Sequence, residues 1–106
     1  MNDGVFAALA DPTRRRLLEL LGDSPGGSSA SALAGRVSVS RQAVTQHLAI
    51  LEDCRLITRR RRGREVLFSV EPDELVAAAS WLTDRAGAWR DSLATLKREA
   101  EADAGN

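Results

Sequence analysis

The stretch RQAVTQHLAILEDC, residues 41 to 54, opens with polar side chains that can do recognition chemistry. Placed at about 100° per residue, Arg41, Gln42, Thr45, Gln46 and Ala49 gather on one side of a helix, and Val44, His47, Leu48 and Leu51 on the other. The polar side offers one cation, two amides and a hydroxyl near the helix start. Such groups pair with base edges in a major groove: Gln bidentately with adenine, Arg with guanine, and the Thr methyl with the methyl of thymine. On this reading Gln42, Thr45 and Gln46 contact bases, while Ser40, Arg41 and His47 hold the backbone. The competing reading is a plain solvated face, which more often carries Glu and Lys.

A second constellation follows at Arg59, Arg60, Arg61, Arg62 and Arg64 around Gly63, with Glu65 as the one acid close by in sequence. On a strand, successive side chains alternate between faces, so the five cannot all address one ligand. At a hairpin tip that restriction relaxes. Arginines there can pair with phosphates or enter a narrow minor groove. Arg60, Arg61, Arg62 and Arg64 are the candidates. A charged hairpin that discourages edge pairing is the structural alternative, and five arginines exceed what that needs.

Charge along the chain supports the same segment. The 106 residues hold 15 basic and 15 acidic groups, a formal net charge of zero. Residues 1–35 carry −1, 36–64 carry +6, and 65–106 carry −5. A neutral total therefore conceals a basic middle third and an acidic final third, which suggests two surfaces with different tasks. All but one of the basic residues are arginine. That bias favours bidentate contacts to phosphate and guanine, although a GC-rich genome produces it as well.

Other chemistries find little support. The sequence has one histidine and no Walker-type phosphate loop, HExxH or GxSxG, and its serines cluster in a turn without a nearby base, so an enzyme is not expected. A single cysteine excludes an intrachain disulfide and argues for a reducing compartment. Cys54 reads as a buried thiol near the apolar face. No apolar run nears the roughly 20 residues needed to span a bilayer, and MNDGVFAALAD lacks the features of a signal peptide. The expectation is a cytoplasmic chain. Hydrophobic residues at 43% and charged residues at 28% lie in the globular range and argue against wholesale disorder.

The elements that position these residues are legible from local signals. Val5, Phe6 and Leu9 suggest one or two helical turns before Asp11. Asp11-Pro12 is a helix start, with Asp as cap and Pro at the first helical position. Leu17, Leu18, Leu20 and Leu21 continue at helical spacing, and Gly22 reads as a stop. SPGGSS, residues 24–29, is a turn cluster. A short helix over about Ser31–Arg36 buries Leu33 and Val37, and Ser40 caps the longer helix described above. Two helices joined by three or four residues have the pattern of a helix-turn-helix. Residues 56–70 then read as a β-hairpin with its turn near Arg62 and Gly63, and Val66, Phe68 and Val70 on one face.

Pro72 opens a final helix with the three acids Glu71, Asp73 and Glu74 at its start, where the helix dipole favours negative charge. Leu75, Ala79, Leu82, Ala86, Trp89, Leu93 and Leu96 are spaced 4, 3, 4, 3, 4, 3 along it, the register of a coiled-coil seam. A helix of about 40 Å outruns what so small a domain covers. The stripe therefore predicts homodimerisation, with Val5, Phe6 and Leu9 as a second layer. A stripe lying on its own domain is the alternative.

ALADPTRRRLLELL, followed by SRQAVTQHLAILEDCRLITRRRRGREVLFSV, resembles the winged helix-turn-helix of the ArsR-type family of bacterial transcriptional repressors. The resemblance covers residues 5 to about 71. It implies a mainly α fold with a small β-hairpin, in the order α-α-α-α-β-β-α, and a single domain over 1–106. Within that domain, 11–71 would form a DNA-binding core, 1–10 and 72–102 dimerisation helices, and 103–106 a disordered tail. It also implies a recognition helix opening at Ser40 to His47, a wing over 57–70, and a two-fold dimer on a palindromic operator with half-sites about 34 Å apart.

Many such repressors release DNA on binding metal through a Cys pair before the turn or Asp and His on the last helix. Here no cysteine accompanies Leu33 and no histidine lies on the last helix, so no metal is expected. His47 and Cys54 stand two turns apart, too far to share an ion. His47 reads as a core-boundary histidine oriented by a hydrogen bond, near a phosphate. An inducer, if there is one, would be a small molecule near Trp81 and Trp89. A protein-interaction module on the same scaffold, without DNA binding, is the alternative function.

Overall fold

The computed structural model describes residues 4–104. Its element order is α1 (Gly4–Leu9), α2 (Pro12–Gly22), α3 (Ala30–Ala34), α4 (Arg41–Asp53), β1 (Ile57–Arg62), β2 (Glu65–Val70) and α5 (Asp73–Ala104). This is the expected α-α-α-α-β-β-α arrangement. Asp11 caps α2, its Oδ1 accepting from the Thr13 and Arg14 amides at 2.8 and 3.1 Å. Ser29 and Ser40 cap α3 and α4 in the same manner, each hydroxyl oxygen accepting an amide three residues on.

The core collects one apolar stripe from each helix. Val5 and Ala8 of α1, Leu17, Leu18, Leu20 and Leu21 of α2, Leu33 of α3 and Val44, Leu48 and Leu51 of α4 are buried together with Leu56, Ile57, Phe68 and Ala78. Val5, expected to face a partner, is instead wholly enclosed in the protomer's own core. Val5 shares the inward face of α1 with Ala8 and Leu9, three and four residues on, while Phe6 is turned out, since a short helix has one inward face.

Gly22 does not act as a left-handed stop. It is the last residue of α2, and Asp23 caps the helix with its amide bonded to the Glu19 carbonyl at 3.1 Å. At the end of α4 the left-handed position falls on Arg55, with φ of 61°. The Arg55 amide bonds the Glu52 carbonyl and the Leu56 amide bonds the Leu51 carbonyl, both at 3.0 Å. That pair of bonds is a Schellman motif, here built without glycine.

β1 and β2 pair antiparallel from Ile57 opposite Val70 to Arg62 opposite Glu65. The two-residue loop is therefore Gly63-Arg64, one residue later than the sequence suggests. Gly63 has φ of +62°, as the first central position of a type II′ turn requires. Val66 and Val70 pack at the edge of the core beside Phe68, the face the alternation predicts.

The turn cluster contributes more than a connection. Ser28 exchanges both backbone hydrogen bonds with Phe68, at 2.9 and 2.8 Å, adding a one-residue third rung to the hairpin. Gly27, with φ of +93°, makes this approach feasible: a Cβ there would lie 2.7 Å from the Phe68 carbonyl oxygen.

α5 runs 32 residues, about 48 Å. Its first two turns dock on the domain through Leu75 and Ala78, and Trp81 stacks at a tilt on Phe6 with centroids 5.8 Å apart. Beyond them it stands away from the domain, and the principal extents are 75 × 25 × 21 Å. Residues 103 and 104, expected in a tail, continue the helix because nothing in the Ala-Glu-rich sequence breaks it. Residues 105–106, the rest of that tail, and 1–3 lie outside the described residues.

Candidate nucleic-acid interface

α4 stands on the core by Val44, Leu48 and Leu51 and leaves Arg41, Gln42, Thr45, Gln46 and Ala49 exposed, the division its periodicity predicts. Gln42 and Gln46 make no side-chain hydrogen bond to any described residue, so their amides are available outward. Thr45 spends its hydroxyl on the Arg41 carbonyl at 3.1 Å. What remains outward at position 45 is chiefly the methyl group. Ser40 uses its oxygen as an acceptor for the Ala43 amide, which leaves its hydroxyl hydrogen for a second partner.

The wing arginines separate into groups. On the pleat, Arg59 and Arg61 share the face of Phe68 and Val66, while Arg60 and Arg62 take the face of Leu67 and Glu65. Arg59 reaches Glu52 of α4 with Nε and Nη2 at 2.7 and 2.8 Å and lies 5.1 Å over the Phe68 ring. The hydrogen-bonded Glu52 carboxylate raises the Arg59 pKa above its ordinary value. Glu65 is thus not the one acid near the wing: Glu52, seven residues before Arg59 on the last turn of α4, supplies a second. Arg60 donates to the Gly26 carbonyl at 2.8 Å, and Arg61 Nε reaches the Gly63 carbonyl at 3.5 Å.

Arg62 and Arg64 have no partner among the described residues, although Arg62 stands opposite Glu65. Arg64 lines a groove between wing and α4 together with Arg41, Thr45, Ser29 and Ser31. That groove joins the exposed face of α4 to the hairpin tip, and it holds three cations, Arg41, Arg59 and Arg64, against one acid, Glu65. Two neighbouring cationic elements on a rigid frame can follow a polyanion from groove to backbone.

His47 lies half-buried at the boundary of the core, with Nδ1 3.3 Å from Arg14 Nη1. Arg14 was not singled out from the sequence. The ring's hydrogen bond was expected, but its partner stands 33 residues away, beyond any local signal. Cys54 is the cap residue of α4, half-buried rather than buried, with Sγ 3.5 Å from the Gly4 carbonyl. Among the described residues, no three His, Cys, Asp or Glu side chains gather where they could hold a metal ion.

The apolar stripe of α5 is uncovered over most of its length. Leu82, Trp89, Leu93 and Leu96 are between 51 and 67% exposed, and Ala79 and Ala86 are exposed with them. Leu75 packs on its own core, and Leu9 is partly buried there too, so both offer less surface than expected. No helix of the described residues is long and apolar enough to cross a membrane.

Known proteins share this architecture. A family model described as a helix-turn-helix domain matches residues 9–60. The transcriptional repressor SdpR of Bacillus subtilis (strain 168) is 31% identical over 80 residues, covering 76% of this chain and 87% of that protein. The HTH-type transcriptional regulator Rv2034 of Mycobacterium tuberculosis (strain ATCC 25618 / H37Rv) is 39% identical over 75 residues, 71% of this chain and 68% of that one. Among solved structures, an ArsR-like transcriptional regulator from Rhodococcus sp. RHA1 superposes with a TM-score of 0.87 at 40% identity, covering 93% of this chain and 89% of that chain.

Proposed function

The chain belongs to the ArsR-type family of winged helix-turn-helix, DNA-binding transcriptional regulators, which are not enzymes, and from that premise we propose a homodimeric repressor of a palindromic operator. The observation that carries this reading is the exposed Arg41, Gln42, Thr45 and Gln46 face, which shares a groove with the unpaired Arg64 of the wing, while Arg62 is exposed and unpaired at the same hairpin tip. Gln42, Thr45 and Gln46 read base edges in the major groove. Ser40, Arg41, His47, Arg60, Arg61, Arg62 and Arg64 hold phosphates and the adjacent groove, with Arg62 and Arg64 leading because the other two wing arginines also bond carbonyls of the chain itself.

Residues 11–71 form the DNA-binding core of this single domain, and the terminal helices form the dimer. Leu82, Trp89, Leu93 and Leu96, supported by Ala79 and Ala86, pair with a second copy, and Phe6 adds the next layer. An uncovered apolar stripe on a projecting helix is the surface such pairing buries. The protein acts in the cytoplasm, on the nucleoid when bound.

Fluorescence anisotropy with duplex from the region upstream of its own gene tests the reading. Binding that weakens steeply with salt is expected, together with a sedimentation mass of two chains. A salt-independent affinity, or a monomer at micromolar concentration, would overturn it.

A further inference from the structure

Arg14 sits in the first turn of α2 with its side chain only 16% exposed. Its Nε donates to the Ala8 carbonyl at 2.7 Å and its Nη2 to the Ala7 carbonyl at 3.2 Å. Those carbonyls belong to the last turn of α1, where helix carbonyls lack intrahelical partners. Nη1 lies 4.0 Å from the Asp11 carboxylate and 3.3 Å from His47 Nδ1. One planar guanidinium thus joins the end of α1, the cap of α2 and the flank of α4. With two arms fixed by carbonyls, the direction of the third is fixed as well.

An arginine has donors only and stays protonated in proteins. Its hydrogen bond to Nδ1 requires a lone pair there, so in the neutral ring the proton stands on Nε2. No described residue accepts from Nε2. The ring follows Gln46 directly, at the edge of the exposed face, and is half-buried rather than enclosed in the core.

We propose that Arg14 is a positioning residue for DNA binding: it holds His47 as the Nε2–H tautomer, which donates to a phosphate of the bound duplex. This rests on the DNA-binding reading of α4 and deepens it by naming what aims one backbone contact. The same network links α1, whose Phe6 stacks on Trp81 of α5, to the flank of α4. The angle at which α1 sits therefore bears on the ring.

The sequence holds one histidine, so the imidazole 15N spectrum of the whole protein reports a single ring. In the free protein at neutral pH, Nδ1 should be pyridine-like and Nε2 pyrrole-like. Arg14→Lys, which cannot make the fork, should give a tautomer mixture while circular dichroism shows the fold retained. Against duplex from the upstream region, His47→Gln, whose amide nitrogen lies near the position of Nε2, should bind within a few-fold of wild type. His47→Asn, which places its amide near Nδ1, should lose about tenfold, the size expected for one hydrogen bond to a charged group.

A wild-type ring protonated at Nδ1, or His47→Asn binding as tightly as His47→Gln, overturns the proposal. A wild type that binds neither upstream nor unrelated duplex overturns the phosphate contact together with the DNA reading, and the ring spectrum then still decides whether Arg14 holds the tautomer.

Discussion

Arg59 and Glu52 form a two-pronged ion pair, Nε to Oε2 at 2.7 Å and Nη2 to Oε1 at 2.8 Å, that ties β1 to the last turn of α4. The guanidinium also covers the buried ring of Phe68. The first arginine of the basic run thus orients the wing relative to the helix beside it. The pair is part-exposed, so Arg59→Ala should lower stability modestly, by about 1 kcal/mol from ion pair and ring contact together. Urea denaturation measures this. DNA affinity should fall more than the loss of one phosphate contact explains, because the wing loses its angle.

Base-reading and backbone residues should fail differently. Gln46→Ala should relax discrimination at one base position by about 1–3 kcal/mol and leave others intact. Arg62→Ala and Arg64→Ala should weaken all duplexes alike and reduce the salt slope by about one unit each. Affinities for operator variants across a salt series separate the two.

Charge placed on the α5 stripe should abolish pairing without unfolding the domain. Leu93 is 67% exposed and Trp89 60% exposed in the single chain, so neither supports its own core. The Trp89→Glu, Leu93→Glu double variant is expected to sediment as a monomer with an unchanged helix signal, and to lose high-affinity binding to a two-half-site operator. An unchanged dimer would place the interface elsewhere.

Two backbone positions should respond in opposite directions. Arg55→Gly relieves a left-handed residue, and a stabilisation of about 0.5–1 kcal/mol is expected, because the αL cost of about 1–2 kcal/mol is partly offset by glycine's unfolded-state entropy. Gly27→Ala adds a Cβ 2.7 Å from the Phe68 oxygen at φ of +93° and should destabilise by about 2 kcal/mol or more, detaching Ser28 from the hairpin. Thermal melts of both variants provide the check.

Acid should weaken α2 through its cap. The hydrogen bond from the Arg14 amide, with that of Thr13 and the charges of His47 and Arg14 adding to it, holds the Asp11 carboxyl below its ordinary 3.8. The contribution is therefore fully present above 3.8 and is lost as pH falls below it through the lowered folded value. Asp11→Asn keeps a capping oxygen that does not titrate. Its melting temperature should fall less than that of wild type between pH 4.5 and 2.5, and parallel curves would contradict the assignment.

The helices, their caps and the polar face of α4 were legible in sequence because each depends on neighbours within a turn. Asp11 and Ser40 bond amides two or three residues on, and Val44, Leu48 and Leu51 share a stripe by helical geometry alone. The cap at Ser29, inside the turn cluster, was not expected, and α3 starts at Ala30 rather than Ser31. The hairpin was legible through Gly63, which supplies the φ its turn needs. The third rung at Ser28, the burial of Val5 and the left-handed Arg55 were not. Each depends on what another segment places opposite it.

The arginines mark the division most clearly. By itself the sequence determined that a basic segment of +6 surrounds a helix with a polar, mostly uncharged outer face, since charge and periodicity add along the chain. Only the tertiary structure decided which arginines are left without a partner inside the chain. Arg14 is spent on α1 and His47, Arg59 on Glu52, and Arg60 partly on Gly26, while Arg62 and Arg64 stay unpaired. A guanidinium takes whatever acceptor the fold brings within about 3 Å, and acceptors 33 or 34 residues away leave no trace in the local sequence.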